Sequence, residues 1–530
     1  MKTNVKNNAA TEIYKSAHDS LRINTPGGII QCRWDETTLV TPRCHNAFFS
    51  HFVQAGGAFD QLVESCPLRY SSNNAPSVRG VLATLFSGIL EGHSRYRHLD
   101  VLHHDPVLPT IYGVEKLVSC DSARRAIRKM SEDDPGAALE WAWSANIRNL
   151  TPLLDQPYVL DLDPTVKPLY GSQEGAVLGY NPHKPGRPSH CYHTMCIAEL
   201  RLVLGVVVHP GNQTSGMHSM GMLGHFLRTL PGPLRPRFAR GDVVFGVDNV
   251  MEDCESNGVK YLFKLRRTPA VTRMWRQCLA PGVEWVDAGQ GWEGCEASLQ
   301  LDGWRCARRA VFVRRPRPLS QARGMEPGGR AGKAAETGQM EFQFPDLEVL
   351  PPGDCGGYDW HVLVTDLDHQ ILPLAQLYRD RGNCENIFDE MKNQWGWCGF
   401  TTQSLERCGV MAALVALVAN LWNIFCRTMA PERHAEAKTS RPLLQQVVGR
   451  LTTHGGQKYL VCSASGQGKA RDMYTDIMLK INEISTATQL SGEERWKLVL
   501  WYAFRKYNLI NTCFPPQIGG QLMLPLAHPG

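Results

Sequence analysis

Residues 158–166 read YVLDLDPTV, in which apolar and polar side chains alternate with the period of two expected of a half-buried β-strand. Asp161 and Asp163 stand two positions apart, so both carboxylates face the same side of that strand. Downstream, residues 202–208 (LVLGVVV) form a continuous apolar run of strand length. A helical stretch at 219–229 follows, then a strand around Phe238, a helix at 249–256 and a short strand, YLFK, at 261–264. Strands alternating with helices predict an α/β layer in which helices cover a sheet.

Upstream, the chain reads as small helices, with helical periodicity at 77–90 (SVRGVLATLFSGIL). Residues 119–130 (SCDSARRAIRKM) predict a helix capped by Ser119 or Asp121 and carrying Arg124, Arg125, Arg128 and Lys129. Those cations suit either a phosphate-binding surface or a solvated face paired with Glu132, Asp133 and Asp134. After residue 266 the texture changes: Trp275, Trp285, Trp292 and Trp304 punctuate short β-like runs such as RRAVFVRR at 308–315. Residues 317–340 are a Gly/Arg/Ala-rich loop without apolar periodicity, expected to be mobile. HVLVTDL at 361–367 returns to a core strand, and a long helical region starts near residue 373.

The 530 residues carry a formal net charge of only +5, so affinity for a polyanion has to come from local clusters. One such cluster lies between Arg305 and Arg317, with six arginines and no acid. The seventeen cysteines show no paired spacing and the N-terminus is polar, which predicts reduced thiols in a cytosol. Cys32, Cys44, His45, Cys191 and His193 lack the spacing of a zinc site, and no phosphate-binding GKS or GKT loop calls for ATP. Residues 408–426 are uncharged and just long enough to cross a bilayer, yet they contain Asn420, Trp422 and Asn423, so a buried core helix is expected.

The chemistry concentrates in residues 377–395, LYRDRGNCENIFDEMKNQW. On one continuous helix, Tyr378, Arg381, Glu385 and Lys392 would fall within about a 60° arc. Two cations suit phosphates while the carboxylate suits a metal ion; the plain alternative is an amphipathic helix with Arg381–Glu385 as an i,i+4 pair.

This Y-x2-R-x3-E-x6-K spacing resembles the YREK signature of one branch of DDE-type bacterial insertion-sequence transposases. Residues 179–190 (GYNPHKPGRPSH) resemble the GYNP-x-x-PGRPSH segment of the same group, and the resemblance implies Lys184 and Arg187 as backbone contacts for DNA. The family's first Asp is followed two residues on by Thr; here Thr165 favours Asp163, with Asp161 open as the alternative. The second Asp falls in RGDVVFG at 240–246 and is Asp242, although Val243 stands where a small polar residue is usual. Asp248 is expected as a helix N-cap.

The resemblance implies a ribonuclease-H-like catalytic core interrupted by a β-rich insertion, with a helical N-terminal region and a mainly helical C-terminal region. The expected divisions are 1–150, helical and DNA-binding; 151–266, the first part of the core; 267–359, the insertion with its loop; 360–430, the last part of the core with the catalytic helix; and 431–530, helical, for dimerisation or DNA contact. Asp163, Asp242 and Glu385 would bind two Mg²⁺ or Mn²⁺ ions and catalyse hydrolysis and strand transfer, with Tyr378, Arg381 and Lys392 on phosphates near the cut end. The implied partners are double-stranded DNA, as transposon ends and target, and a second copy of the chain in the DNA complex; no membrane is implied. An inactive derivative that only binds DNA, or a stand-alone metal-dependent nuclease, are the alternatives.

Overall fold

Alternation at 158–166 ends up as strand Val159–Pro168, third from one edge of a nine-stranded sheet. The computed structural model of the protein describes residues 21–504, except 135, 156, 182–183, 317–356, 398, 401, 431–433, 446, 464–467 and 487–491, and also the pairs 517–518 and 521–522. The Gly/Arg/Ala-rich loop expected at 317–340 lies outside the described residues.

Three short strands come first: β1 (Leu21–Thr25), β2 (Gly28–Cys32) and β3 (Leu39–Thr41). The large sheet consists of β4 (Val159–Pro168), β5 (Ser189–Ile197), β6 (Leu202–Pro210), β7 (Phe238–Gly241), β8 (Lys260–Lys264), β9 (Val286–Gly289), β10 (Trp292–Leu299), β11 (Arg308–Pro316) and β12 (Tyr358–Thr365). Later in the chain β13 (Gly449–His454) and β14 (Gln457–Cys462) form a hairpin that β3 extends. The helices used below are α1 (Val78–Leu90), α2 (Cys120–Asp133), α3 (Ala137–Leu150), α4 (Asp248–Ser256), α5 (Pro269–Cys278), α6 (Ile371–Arg379), α7 (Asn383–Asn393) and α8 (Leu405–Met429).

The order across the sheet is β6-β5-β4-β7-β8-β12-β11-β10-β9. An antiparallel meander, β4-β5-β6, is followed by β7 and β8, both parallel to β4, and then by antiparallel strands. The protein is therefore a mixed α/β structure built on a large mixed sheet. The strands read from sequence as a β-rich insertion hydrogen-bond into this same sheet, because β12 returns between β8 and β11. Trp275 departs from the β-like reading and lies on α5, stacked on Trp360 at 4.7 Å.

Strand β5 is absent from the sequence reading, for a physical reason. All nine of its positions are buried, so SHCYHTMCI has no exposed face to generate an alternation. Its polar side chains are satisfied internally; Thr194, for instance, donates to the Asp163 carbonyl at 2.7 Å.

Helix α8 is long and apolar enough to cross a membrane, but its apolar window is wholly buried in the protein. Its asparagines bond the outer edge strand β6 and the turn that leads into it. Asn420 accepts from the Val203 amide at 3.0 Å and donates to the Val203 carbonyl at 2.7 Å, while Asn423 donates to the carbonyls of Leu200 and Arg201. An edge strand that would otherwise expose unpaired backbone groups is closed by side chains.

His193 supplies a test of this packing. Its ring is buried on β5, with Nδ1 2.8 Å from the Ser219 hydroxyl, Nε2 2.7 Å from the Gln213 carbonyl, and the rings of His209 and His218 beside it. Burial, helped by those two histidines, pushes the imidazole down to about 4. A depressed folded value means that the stability present above pH 6.5 is lost as the pH falls toward 4, by up to roughly 3 kcal/mol. Thermal melts between pH 7 and about 4.5 should show this loss and a shallower slope for His193→Gln. Identical slopes would remove His193 as its source.

Candidate active site

Two neighbouring parallel strands begin the site. Leu162 on β4 is the register partner of Gly241 on β7, so Asp163 and Asp242 emerge next to each other. Asp242 directly follows β7, and its carboxylate accepts from the Val244 amide at 3.0 Å, which fixes it in the turn. Asp163 is buried, and Arg381 donates to its Oδ1 at 2.7 Å. Burial raises the Asp163 carboxyl to about 7; Arg381 and Lys392 oppose the rise, and the charges of Asp242 and Glu385 add to it. The other two candidate carboxylates and both cations thus all act electrostatically on Asp163. The half-buried Tyr378 joins them, its phenol raised by burial and by the charges of Asp242 and Asp163.

The stripe does not lie on a single helix. Tyr378 ends α6 with Arg379, a 3₁₀ turn spans Asp380–Gly382, and Glu385 and Lys392 lie on α7. Gly382 and Asn383 are weak helix formers, and a 3₁₀ turn advances about 120° per residue instead of 100°. Tyr378 is therefore rotated by roughly 60° relative to Glu385 and Lys392, and Arg381, inside the turn, by less. Arg381 reaches Asp163 from that turn, while Glu385 stays exposed.

Sequence reasoning missed Arg240. Asp161 and Arg240 are register partners across β4 and β7, and the guanidinium holds the carboxylate through two bonds of 2.6 and 2.9 Å. A third bond runs to the Leu377 carbonyl at the end of α6. Burial alone would lower the guanidinium, but its bonds to Asp161 outweigh burial and raise it. Asp161, open as an alternative ligand, is thereby committed to a buried ion pair. The alternation that puts Asp161 and Asp163 on one face applies equally to Arg240 and Asp242, and it was the available signal.

Helix α7 is anchored at both ends. The Cys384 thiol lies 3.2 Å from that of Cys196 on β5, and Glu390 bonds His434 at 2.6 Å and the Ala437 amide at 3.1 Å. Asp248 is not the N-cap of α4: Val247 is, and Asp248 sits in the first turn, 2.5 Å from Arg308.

Cationic candidates separate into two kinds. In the Arg305–Arg317 run, Arg305 pairs with Glu252, Arg308 with Asp248 and Glu255, Arg309 with Glu296, Arg314 with Glu293 and Arg315 with Asp359; Arg317 lies outside the described residues. Acids from other segments neutralise a run that is purely basic in sequence. On α2, Arg124, Arg128 and Lys129 pair with Asp121, Glu132 and Asp133. Lys184 and Arg187, by contrast, are exposed on the β4–β5 loop, where they meet Tyr170 and no acid among the described residues. The same loop carries Tyr180, whose phenol is raised by burial and by the charge of Asp242. Gly179 holds it there: a Cβ would lie 1.9 Å from the Gly211 carbonyl oxygen. Of the tryptophans, Trp292 packs on His361 at 5.0 Å, and His361 in turn lies 6.1 Å from Tyr378.

Among the described residues, no three His, Cys, Asp or Glu side chains stand close enough together to hold a metal ion. The donor chemistry nevertheless suits one, because a buried Asp163 carboxyl raised by the charges of Asp242 and Glu385 is the environment a hard divalent cation relieves.

A family model described as "Transposase DDE domain group 1" matches residues 61–323, just under half of the chain. That span contains Asp163 and Asp242 and stops short of Glu385. No curated protein matches significantly. A solved piggyBac transposase synaptic complex with hairpin DNA is similar at 10% identity over 85% of each chain, with a TM-score of 0.36, too low to establish a common fold. Residues 61–323 thus carry the sequence pattern of a DDE transposase domain, group 1.

Proposed function

We propose that the protein is a DNA transposase of the insertion-sequence, YREK-signature branch, which excises and integrates its element by cut-and-paste. The observation that carries this reading is the electrostatic coupling of Asp163 with Asp242 and Glu385, with Arg381 bonded to Asp163. A meander followed by two parallel strands, with Asp163 on the central one, supports a ribonuclease-H-like core. Asp163, Asp242 and Glu385 would hold two Mg²⁺ or Mn²⁺ ions, whose chemistry is to clamp the attacking and leaving oxygens of a phosphodiester.

The chain's own groups have distinct tasks. Arg381 and Lys392 offset phosphate charge beside the carboxylates, and Tyr378 orients the cut strand through its phenol. Residues 1–150 and 431–530 would supply further DNA or subunit contacts, with two copies meeting on paired ends in the bacterial cytosol.

The test is cleavage of a labelled duplex bearing the element's own end, with Mg²⁺ or Mn²⁺ and with chelator. Wild type should cut at the end boundary only with metal, and Glu385→Ala should bind without cutting. Binding without cutting by wild type would instead favour an inactive DNA-binding derivative, and equal cutting by both would mean that Glu385 is misassigned.

A further inference from the structure

The seventeen cysteines show no paired spacing in the sequence, yet the fold brings six of the described ones together in twos. Cys196 meets Cys384, Cys278 meets Cys295, and Cys44 meets Cys462. The last of these meetings is made possible by an absent side chain. Gly449 on β13 is the register partner of Cys462 on β14 and of Thr41 on β3, so the three share one row of the small sheet. A Cβ on Gly449 would lie 2.3 Å from the Cys44 sulfur and 3.5 Å from the Cys462 Cα. The Cys44 sulfur therefore takes the space that a side chain would fill, directly beside Cys462. Its backbone is fixed there: the Cys44 amide donates to the Val447 carbonyl at 3.1 Å, and Cys44 leads into the helix His45–Ala55.

Access and chemistry separate this pair from the other two. Cys196 and Cys384 lie 3.2 Å apart but are both 0% exposed, and Cys278 and Cys295 are 5% and 2% exposed. A peroxide has no route to those sulfurs without local opening, and burial pushes the Cys384 thiol far up, away from the nucleophilic thiolate. Cys462, by contrast, is half-buried, at the end of a largely exposed strand. Its thiol is lowered because Cys44 donates a hydrogen bond to it, against the opposing effect of burial. The Cys44 thiol is raised by the same bond and by burial, so it stays protonated as the donor. One accessible sulfur that favours its thiolate, next to a protonated partner, is what oxidation to a disulfide requires.

We infer that Cys44 and Cys462 form a redox modification site, where a peroxide converts the two thiols reversibly into a disulfide between the start of the helix His45–Ala55 and β14. The Cys462 thiolate attacks one peroxide oxygen and breaks the O–O bond, leaving a sulfenic acid and a hydroxide that takes up the proton Cys462 released. The Cys44 sulfur then attacks the Cys462 sulfur, and the sulfenic oxygen leaves as water with the Cys44 proton. The two thiols together lose two electrons, and one peroxide is reduced to two waters. The link joins segments far apart in sequence, so it removes freedom from the unfolded chain and staples the β13–β14 hairpin to the N-terminal helices. A dithiol reductant reverses it by exchange. The site shares no residue with the catalytic groups and does not depend on the transposase reading.

The experiment exposes the full-length protein to hydrogen peroxide, alkylates the remaining thiols, and identifies linked tryptic peptides by mass with and without dithiothreitol. A link between peptides 44–69 and 459–469 should form within the monomer, about tenfold faster than any Cys196–Cys384 or Cys278–Cys295 link, and dithiothreitol should release it. Peptide 44–69 also carries Cys66, so Cys66→Ser should keep the link and Cys44→Ser should abolish it. Gly449→Ala puts a methyl group where the Cys44 sulfur lies and should slow the link by about tenfold; the wild-type result stands whether or not that variant folds. Oxidation should also raise the melting temperature of wild type and leave that of Cys462→Ser unchanged. Either of the buried pairs linking first, Cys462 reaching the sulfinic acid with Cys44 still free, or no link at all would each overturn the site.

Discussion

Asp163→Asn is expected to lower end cleavage by on the order of 10³–10⁴ while leaving the melting temperature unchanged or up to about 3 °C higher. The two effects have opposite causes. In the proposed mechanism catalysis needs a charged, hard oxygen ligand beside Asp242 and Glu385, and the amide keeps the shape without the charge. The fold tolerates the substitution because the native carboxylate is buried among like charges, with a proton affinity raised accordingly. Asn retains an acceptor for the Arg381 bond. A thermal melt at pH 8 and a single-turnover cleavage assay decide the matter. Residual activity within tenfold of wild type would remove Asp163 from the reacting centre, and a fall of many degrees would make the Asp163–Arg381 pair a structural strut.

Arg240→Ala should produce the largest loss of stability, about 3–5 kcal/mol in denaturant titration, because it strands a buried carboxylate. Both partners are about 1% exposed, so water cannot replace the missing guanidinium on Asp161 or on the Leu377 carbonyl. Breaking a buried pair costs more than replacing it, so Arg240→Met combined with Asp161→Leu should regain most of the stability. Cleavage should stay low in that double variant. Its side chains can fill the volume, but they cannot tie the end of α6, and with it Tyr378 and Arg381, to the strands carrying Asp163 and Asp242. Recovery of both stability and cleavage would reduce the pair to packing.

The alternation at 158–166 and the spaced motif residues made the α/β layer and the candidate carboxylates legible, because strand period and motif spacing are local properties of the chain. What remained hidden depends on partners distant in sequence. Strand β5 has no exposed face, so its polarity pattern is blank. The six arginines from Arg305 to Arg317 read as a basic stripe because Glu252, Asp248, Glu255, Glu293, Glu296 and Asp359 lie outside the run. The 3₁₀ turn at Asp380–Gly382 occupies only three residues, too few to disturb a helical period that Glu385 and Lys392 still obey on their own helix. Arg240 sat in view within the RGD motif, but its meaning required knowing that β4 and β7 are neighbours.

The position of β12 has a consequence for how the chain is made. Strands β9, β10 and β11 precede it in sequence, yet β12 alone joins them to β8. During synthesis the two halves of the sheet therefore emerge as separate pieces, each with an open hydrogen-bonding edge, until Tyr358–Thr365 clears the ribosome. At ~5–20 residues per second, the interval between the end of β11 and the arrival of β12 lasts a few seconds. For that time the half-built chain presents β8 and β11 as unpaired edges to any other nascent chain.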